Sequence, residues 1–197
     1  MESHLEAQPQ ASEYDGREMT LDEFQYANPV PELPTELVDG RLLVREPPRL
    51  RHGSVSTNVV IALSRYFNRV LPKGAPRGLL ASNDAGVILR RHPDTVRAPD
   101  VLYFTPERQP VDLDRYAETA PDLVVEVRSP SDRPGYLQRK VTDWLAFGCQ
   151  QVWVVDSKQR RVTVHVPHRV THLTATDDLD GGALFPGFTV PMASLFP

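Results

Sequence analysis

Cysteine is almost missing from this chain. Cys149 is the single one among 197 residues, so no intrachain disulfide can form. Cys149 sits among apolar residues after an expected helix and reads as a small buried hydrophobe. Long apolar runs are also missing. No stretch reaches the roughly 18 apolar residues a membrane span requires, and no apolar N-terminal segment has the form of a signal peptide. The expectation is a soluble, cytoplasmic protein with no membrane partner. There is no Gly-rich phosphate loop and no Ser/His/Asp arrangement, which sets aside two common enzyme classes. His165, His168 and His172 are spaced by three and four, as zinc ligands on a helix would be. The alternation of Val162, Val164 and Val166 marks that segment as a strand, on which the histidines diverge, so a zinc site is excluded.

What is present is ordinary globular composition, 40% hydrophobic and 24% charged. This length suits one domain with a sizeable core. The 19 prolines fall mostly between expected elements and imply many short connections. The net charge of −4 is a weak argument against a nucleic-acid partner, but its distribution is uneven. Residues 1–40 carry ten acids and one base, residues 41–97 carry eleven bases and three acids, and residues 98–197 carry thirteen acids and ten bases. An arginine-rich middle third beside an acidic segment suits an enzyme that grips phosphates and cuts near a metal. The same arginines could equally solvate helix and loop surfaces.

Residues 1–18 are polar and unpatterned and read as a flexible tail, leaving 19–197 as the folded domain. Thr20 and Glu23 form a capping-box pair for a short helix that ends before Pro29. Asp39-Gly40 between apolar runs predicts a hairpin over 36–44. A helix is expected over 52–70, then strands over 78–82, 85–90 and 98–104, with a turn at His92-Pro93-Asp94. Leu123 to Val127 is a continuous β-branched run, the signature of a strand covered on both faces. A helix over 134–147, stopped by Gly148, leads to a strand over 151–155, one crossover between parallel strands. A hairpin into 161–166 and one or two short strands close the chain. The fold class is α/β: a mixed sheet flanked by helices, with additional antiparallel hairpins.

Three residues concentrate the chemical argument. Asp100 follows Pro99 at a strand start and reads either as a turn aspartate or as an acid aimed at a site. Glu126 stands inside a valine run, where a carboxylate needs a partner. That partner is a metal, or else Arg128 or Lys140 in a structural pair. Lys140 borders the apolar face formed by Leu137, Val141, Trp144 and Leu145, so it either reaches the acids or snorkels to water. Asp84 is a turn residue or a third acid. Glu36 reaches the site from the N-terminal elements or faces solvent. His52 starts its helix or contacts a phosphate or water.

These stretches together resemble the Uma-two family, a branch of the PD-(D/E)xK nuclease superfamily. The resemblance runs from about Thr20 to Val166. It rests on Glu36 to Gly40, Pro47-Pro48 to His52, Asn83 to Val87, and Ala98-Pro99-Asp100-Val101. It continues through Val124 to Ser131, Lys140, and Gly148 to Asp156. The resemblance implies a restriction-endonuclease-like fold and phosphodiester cleavage with Mg²⁺, for which Mn²⁺ would substitute. Asp100 and Glu126 would be the two acids and metal ligands, Asp84 a further ligand, and Glu36 a helper acid. The lysine usually two residues after the second acid is replaced by Arg128, which stays protonated and cannot act as a base. Its role would pass to Lys140. Trp144 stands where a tyrosine is more usual, a change expected to affect packing.

The expected function is a metal-dependent endonuclease acting on DNA, with Arg51, Arg65, Arg69 and Arg77 on the phosphate backbone. A symmetric homodimer would suit cutting both strands of a duplex at one place. The alternative is a catalytically silent nuclease-fold module that binds nucleic acid or protein.

Overall fold

The computed structural model describes residues 11–129, 132 and 135–197. Residues 1–10 of the expected tail lie outside it, as do Pro130, Ser131, Arg133 and Pro134. Residues 11–18 do not form a free tail. They include the short helix α1 (Ala11–Tyr14) and hydrogen-bond along the first hairpin, with the Gly16 amide donating to the Leu42 carbonyl and the Leu42 amide to Arg17. The signal missed in the sequence is Tyr14, an aromatic packed against the N-terminal core.

Helix α2 (Leu21–Tyr26) carries the expected capping box between Thr20 and Glu23 and buries Leu21 and Phe24. Those residues cover a four-stranded antiparallel sheet of β1 (Thr35–Val38), β2 (Arg41–Val44), β4 (Val87–Arg90) and β5 (Thr95–Arg97), in the order β2-β1-β5-β4. Leu37, Leu42, Ile88 and Val96 supply its side of that core. The hairpin turns at Asp39-Gly40, both with positive φ, as an Asp-Gly type I′ turn requires.

The central sheet has six strands in the order β10-β9-β8-β7-β6-β3. These are β3 (Leu79–Ser82), β6 (Val101–Phe104), β7 (Leu123–Val127), β8 (Gln151–Asp156), β9 (Arg161–Val166) and β10 (Arg169–Leu173). Only β7 and β8 run parallel, joined through helix α4 (Tyr136–Phe147). Strands β11 (Asp178–Asp180) and β12 (Thr189–Pro191) form a small separate ribbon. Among the described residues, no helix is long and apolar enough to cross a membrane.

The two faces of the central sheet follow from strand alternation. Val101, Tyr103, Leu123, Val125 and Val127 face helix α3 (Leu50–Val70), which contributes Val55, Val59, Leu63, Tyr66 and Phe67 at helical spacing. Leu102, Phe104, Val124 and Val152 face α4 and its Val141 and Trp144. All five residues of β7 are buried, as its β-branched run predicts.

The strand expected over 98–104 starts only at Val101, and a strand that the pattern did not announce, Thr95–Arg97, precedes it in the other sheet. Pro99 provides no amide to a ladder, so pairing stops there. Ala98-Pro99-Asp100 is therefore the crossing from one sheet to the other, and the acids converge at that crossing.

Candidate active site

Asp100 sits one residue before the first pair of the β6–β7 ladder. The β6–β7 pairing ends at Val101–Val125, and Asp100 stands just beyond it, bound to the backbone next to Glu126. Two acids 26 positions apart in the chain thus become neighbours at the end of this strand pair. Asp100 Oδ2 accepts the Val127 amide at 2.6 Å, and its Oδ1 lies 3.3 Å from His52 Nε2 in the first turn of α3.

Glu126 is 2% exposed and fully partnered. Its Oε2 accepts from Lys140 Nζ at 2.5 Å and its Oε1 from Trp144 Nε1 at 2.9 Å. Lys140 and Trp144 are four residues apart and share one face of α4. Lys140 is 1% exposed, so it does not snorkel to water. Its ammonium also lies 2.9 Å from Glu36 Oε1. Arg128 is not the partner of Glu126; it is largely exposed and pairs with Asp156 at 3.1 Å. Trp144 does more than fill space, because its indole N–H fixes one oxygen of Glu126.

Glu36, from β1, is completely buried. It accepts from Arg97 at 2.8 Å and from the Tyr136 hydroxyl at 2.7 Å, and Arg45 approaches to 3.6 Å. Arg97 in turn reaches Asp143 at 2.5 Å. Burial alone would raise the Glu36 pKa. Lys140, Arg97 and Arg45 outweigh it and hold the carboxyl well below the usual range. Burial likewise works against the Lys140 ammonium, but Glu126 and Glu36 more than restore it, so Lys140 stays protonated.

The cluster does not balance. Glu36, Asp84, Asp100, Glu126 and Asp143 are five acids; Arg45, Arg97 and Lys140 are three permanent cations, and His52, raised by Asp100 against the effect of burial, is a fourth when protonated. The imbalance appears at two acids. Glu126 is pushed up to about 7 by burial, with Asp100 and Glu36 adding to it and Lys140 opposing. Asp84 is raised by burial, with Asp100 and Glu36 again adding and Arg45 opposing. An excess of acids in a buried cluster of hard oxygen donors matches in sign and chemistry what a divalent cation offsets. Among the described residues, no three such side chains already stand at metal-ligand spacing. The donor types and the charge fit a divalent ion; the present side-chain arrangement holds the acids on protein partners instead.

Asp84 and Asp100 open onto a cleft of about 260 Å³, walled by His52, Gly53, Ser56 and Thr57 of α3 and by Ser82-Asn83. Asn83 and Asp84 both have positive φ, a conformation that costs energy in non-glycine residues and is often retained at functional sites. Gly53 sits inside a helix, where it is unfavourable by about 1 kcal/mol relative to alanine. A Cβ there would meet nothing within 4 Å, so crowding from neighbours does not account for the glycine.

The expected backbone-contact arginines are not gathered at the cleft. Arg51, Arg65, Arg69 and Arg77 are all exposed. Arg51 is next to His52 but turned about 100° around the helix. Arg65 and Arg69 lie about 20 and 26 Å farther along α3 at 1.5 Å per residue, and Arg69 donates to the Gly187 carbonyl. Arg77 is hydrogen-bonded to Asn68.

Sequence reasoning missed Arg45, Arg97, Tyr136 and Asp143. Tyr136, Lys140 and Asp143 recur at four and three residues on one helix face, and that spacing was a usable signal. Arg97, flanked by Val96 and Ala98, departs from the apolar pattern as plainly as Glu126 does.

The Uma2 family, described as "putative restriction endonuclease", matches residues 21–193 of this chain. No curated protein matches it. One solved structure, described as a putative nuclease belonging to DUF820 from Anabaena variabilis, superposes with a TM-score of 0.74 at 20% identity. The alignment covers 90% of this chain and 97% of that one. At that identity the likeness establishes the shared mixed α/β fold. The family match takes in both sheets and every member of the buried charge cluster; the chain belongs to the Uma2 family.

Proposed function

We propose that this protein is a metal-dependent nuclease that hydrolyses phosphodiester bonds in DNA. The observation that carries this reading is the gathering of Asp100, held on the Val127 amide at the end of β7, and Glu126, held on Lys140, in a buried cluster with more acids than bases. The family description and the nuclease fold of the solved relative support it. Asp84, Asp100 and Glu126 would hold Mg²⁺ or Mn²⁺. When bound, the ion supplies a water of lowered pKa and positive charge facing the phosphate.

The remaining work falls to the chain itself. Lys140 is held as an ammonium between two carboxylates, so it acts as a fixed positive charge near the reacting phosphate and not as a base. Glu36 does not reach the cleft. It is a positioning residue that orients Lys140, Arg97 and Tyr136. Asp100 takes its direction from the Val127 amide, and Trp144 fixes Glu126. Arg51, Arg65 and Arg69 are exposed on one side of α3, so they would meet a DNA backbone lying along that helix.

The test is nicking of supercoiled and linear DNA with Mn²⁺ or Mg²⁺, comparing wild type with Asp100→Asn. Cleavage should fall on the order of 10³-fold, equivalent to several kcal/mol of lost transition-state stabilisation. Undiminished metal-dependent cleavage by Asp100→Asn would refute the assignment.

The closed pairing of Glu126 favours one other reading. A catalytically silent module would keep these acids on protein partners permanently. In that case the wild type would bind DNA equally with and without divalent metal, and would cut none.

A further inference from the structure

We propose that His52 is an inner-sphere ligand of the metal in this cleft, so that the site is built from carboxylate oxygens and one imidazole nitrogen. This rests on the metal-dependent reading above and adds a residue to it.

Three observations converge on His52. First, its Nε2 lies 3.3 Å from Asp100 Oδ1. That is long for a charge-assisted hydrogen bond, which runs about 2.7–2.9 Å. It is close to the separation of about 3 Å between neighbouring octahedral ligands that each sit about 2.1 Å from one ion. Second, Asp100 is itself held through its other oxygen by the Val127 amide at 2.6 Å, which leaves Oδ1 on the His52 side. Ligating carboxylates are usually fixed by such a hydrogen bond away from the ion. Third, His52 lines the same cleft as Asp84 and Asp100, two of the acids that would hold the ion. The cleft side therefore presents two carboxylates and one nitrogen.

Chain geometry explains why His52 is available. It continues the buried stripe of Val55, Val59 and Leu63 by one turn toward the N-terminus, beyond the end of the apolar core. A histidine at this position is buried but faces acids instead of valines. Its nitrogen makes the site softer than an all-carboxylate one, which favours Mn²⁺ over Mg²⁺ and Ca²⁺.

Pulsed electron paramagnetic resonance on Mn²⁺ added alone to the purified protein tests this without substrate. The expected result is ¹⁴N modulation from a directly bound nitrogen, shifted by ¹⁵N-histidine labelling and lost in His52→Gln. Calorimetry should show Mn²⁺ affinity falling at least about tenfold in His52→Gln, with a smaller change for Mg²⁺. Saturable Mn²⁺ binding without ¹⁴N modulation in the wild type would overturn the proposal and leave the nuclease reading standing. No Mn²⁺ binding, in the presence or absence of an oligonucleotide, would overturn both. The wild-type spectrum decides the first point even if a variant folds poorly.

Discussion

The α3 side of the central sheet and the crossing between the two sheets are made of opposite materials. On the α3 side, aromatic rings interlock: Phe67 stacks on Tyr103 at 4.9 Å, Tyr103 meets Phe185 at 5.3 Å, and Tyr66 meets Phe188 edge-on at 5.5 Å. At the sheet crossing toward α4, the buried side chains are Glu36, Arg97, Glu126 and Lys140. Burial of the rings stabilises the fold at about 25 cal/mol per Å² of apolar area. Burial of the ions seldom adds net stability over apolar residues of the same size. The first region is explained by folding alone. On the proposed function the ions of the second serve the site, so perturbations of the two should separate stability from activity.

The largest separation is expected from Lys140→Met. Removing one cation from a buried network leaves Glu36 and Glu126 short of charge, which costs about 3–5 kcal/mol, and cleavage should disappear with it. Urea unfolding read beside nicking activity measures both. Adding Glu126→Leu to Lys140→Met should return part of the stability and none of the activity, because replacing a buried pair by apolar residues is often neutral. A double variant no more stable than Lys140→Met would mean that the ions, as well as the rings, hold this fold together.

Phe185→Ala is the converse experiment. Phe185 is 2% exposed and contacts Tyr66, Phe67, Tyr103, Trp153 and Phe188. Its truncation should cost about 3–5 kcal/mol, with Mn²⁺ affinity of the folded protein unchanged. A parallel loss of Mn²⁺ affinity would show that the aromatic side also shapes the cleft.

The sequence made the two regions legible to different degrees. The apolar side was readable because periodicity reports burial directly: α3, β7, α4 and the parallel β8 stand where the pattern puts them. Glu126 was legible as a violation of that pattern. Lys140 was legible by its helix position, though only tertiary packing decides that it turns inward. The sheet crossing was not legible. The sequence reads as a turn over 92–94 and a strand over 98–104, and no local feature shows that Thr95–Arg97 pairs in one sheet and Val101–Phe104 in another. Arg97 and Glu36 come together only through that crossing. His52 reads in the sequence as the start of its helix or a phosphate or water contact, not as a metal ligand, because its acidic neighbour is contributed by a different element.

The smallest effect, and the one with an inverted sign, is expected at Asp84. Its pKa is raised in the fold, by burial first and then by Asp100 and Glu36. A raised acid binds its proton more tightly in the folded state than in the unfolded one. Its charge therefore costs stability once the pH exceeds the ordinary aspartate value, and the full cost is present at neutral pH. Asp84→Asn should raise the metal-free melting temperature at pH 7 by a few degrees at most, on the scale of about 2–4 °C per kcal/mol for a chain this long. The gain should vanish near pH 3, where both states are protonated. Saturating Mn²⁺ should reverse the order, because a cation in the cleft turns the Asp84 charge from a cost into a contact and stabilises the wild type more than the variant. Scanning calorimetry at two pH values, with and without Mn²⁺, gives all four numbers. An Asp84→Asn protein that is less stable without metal would mean that the 3.9 Å approach of Arg45 to Asp84 outweighs the neighbouring acids. The charge imbalance would then lie deeper, at Glu126.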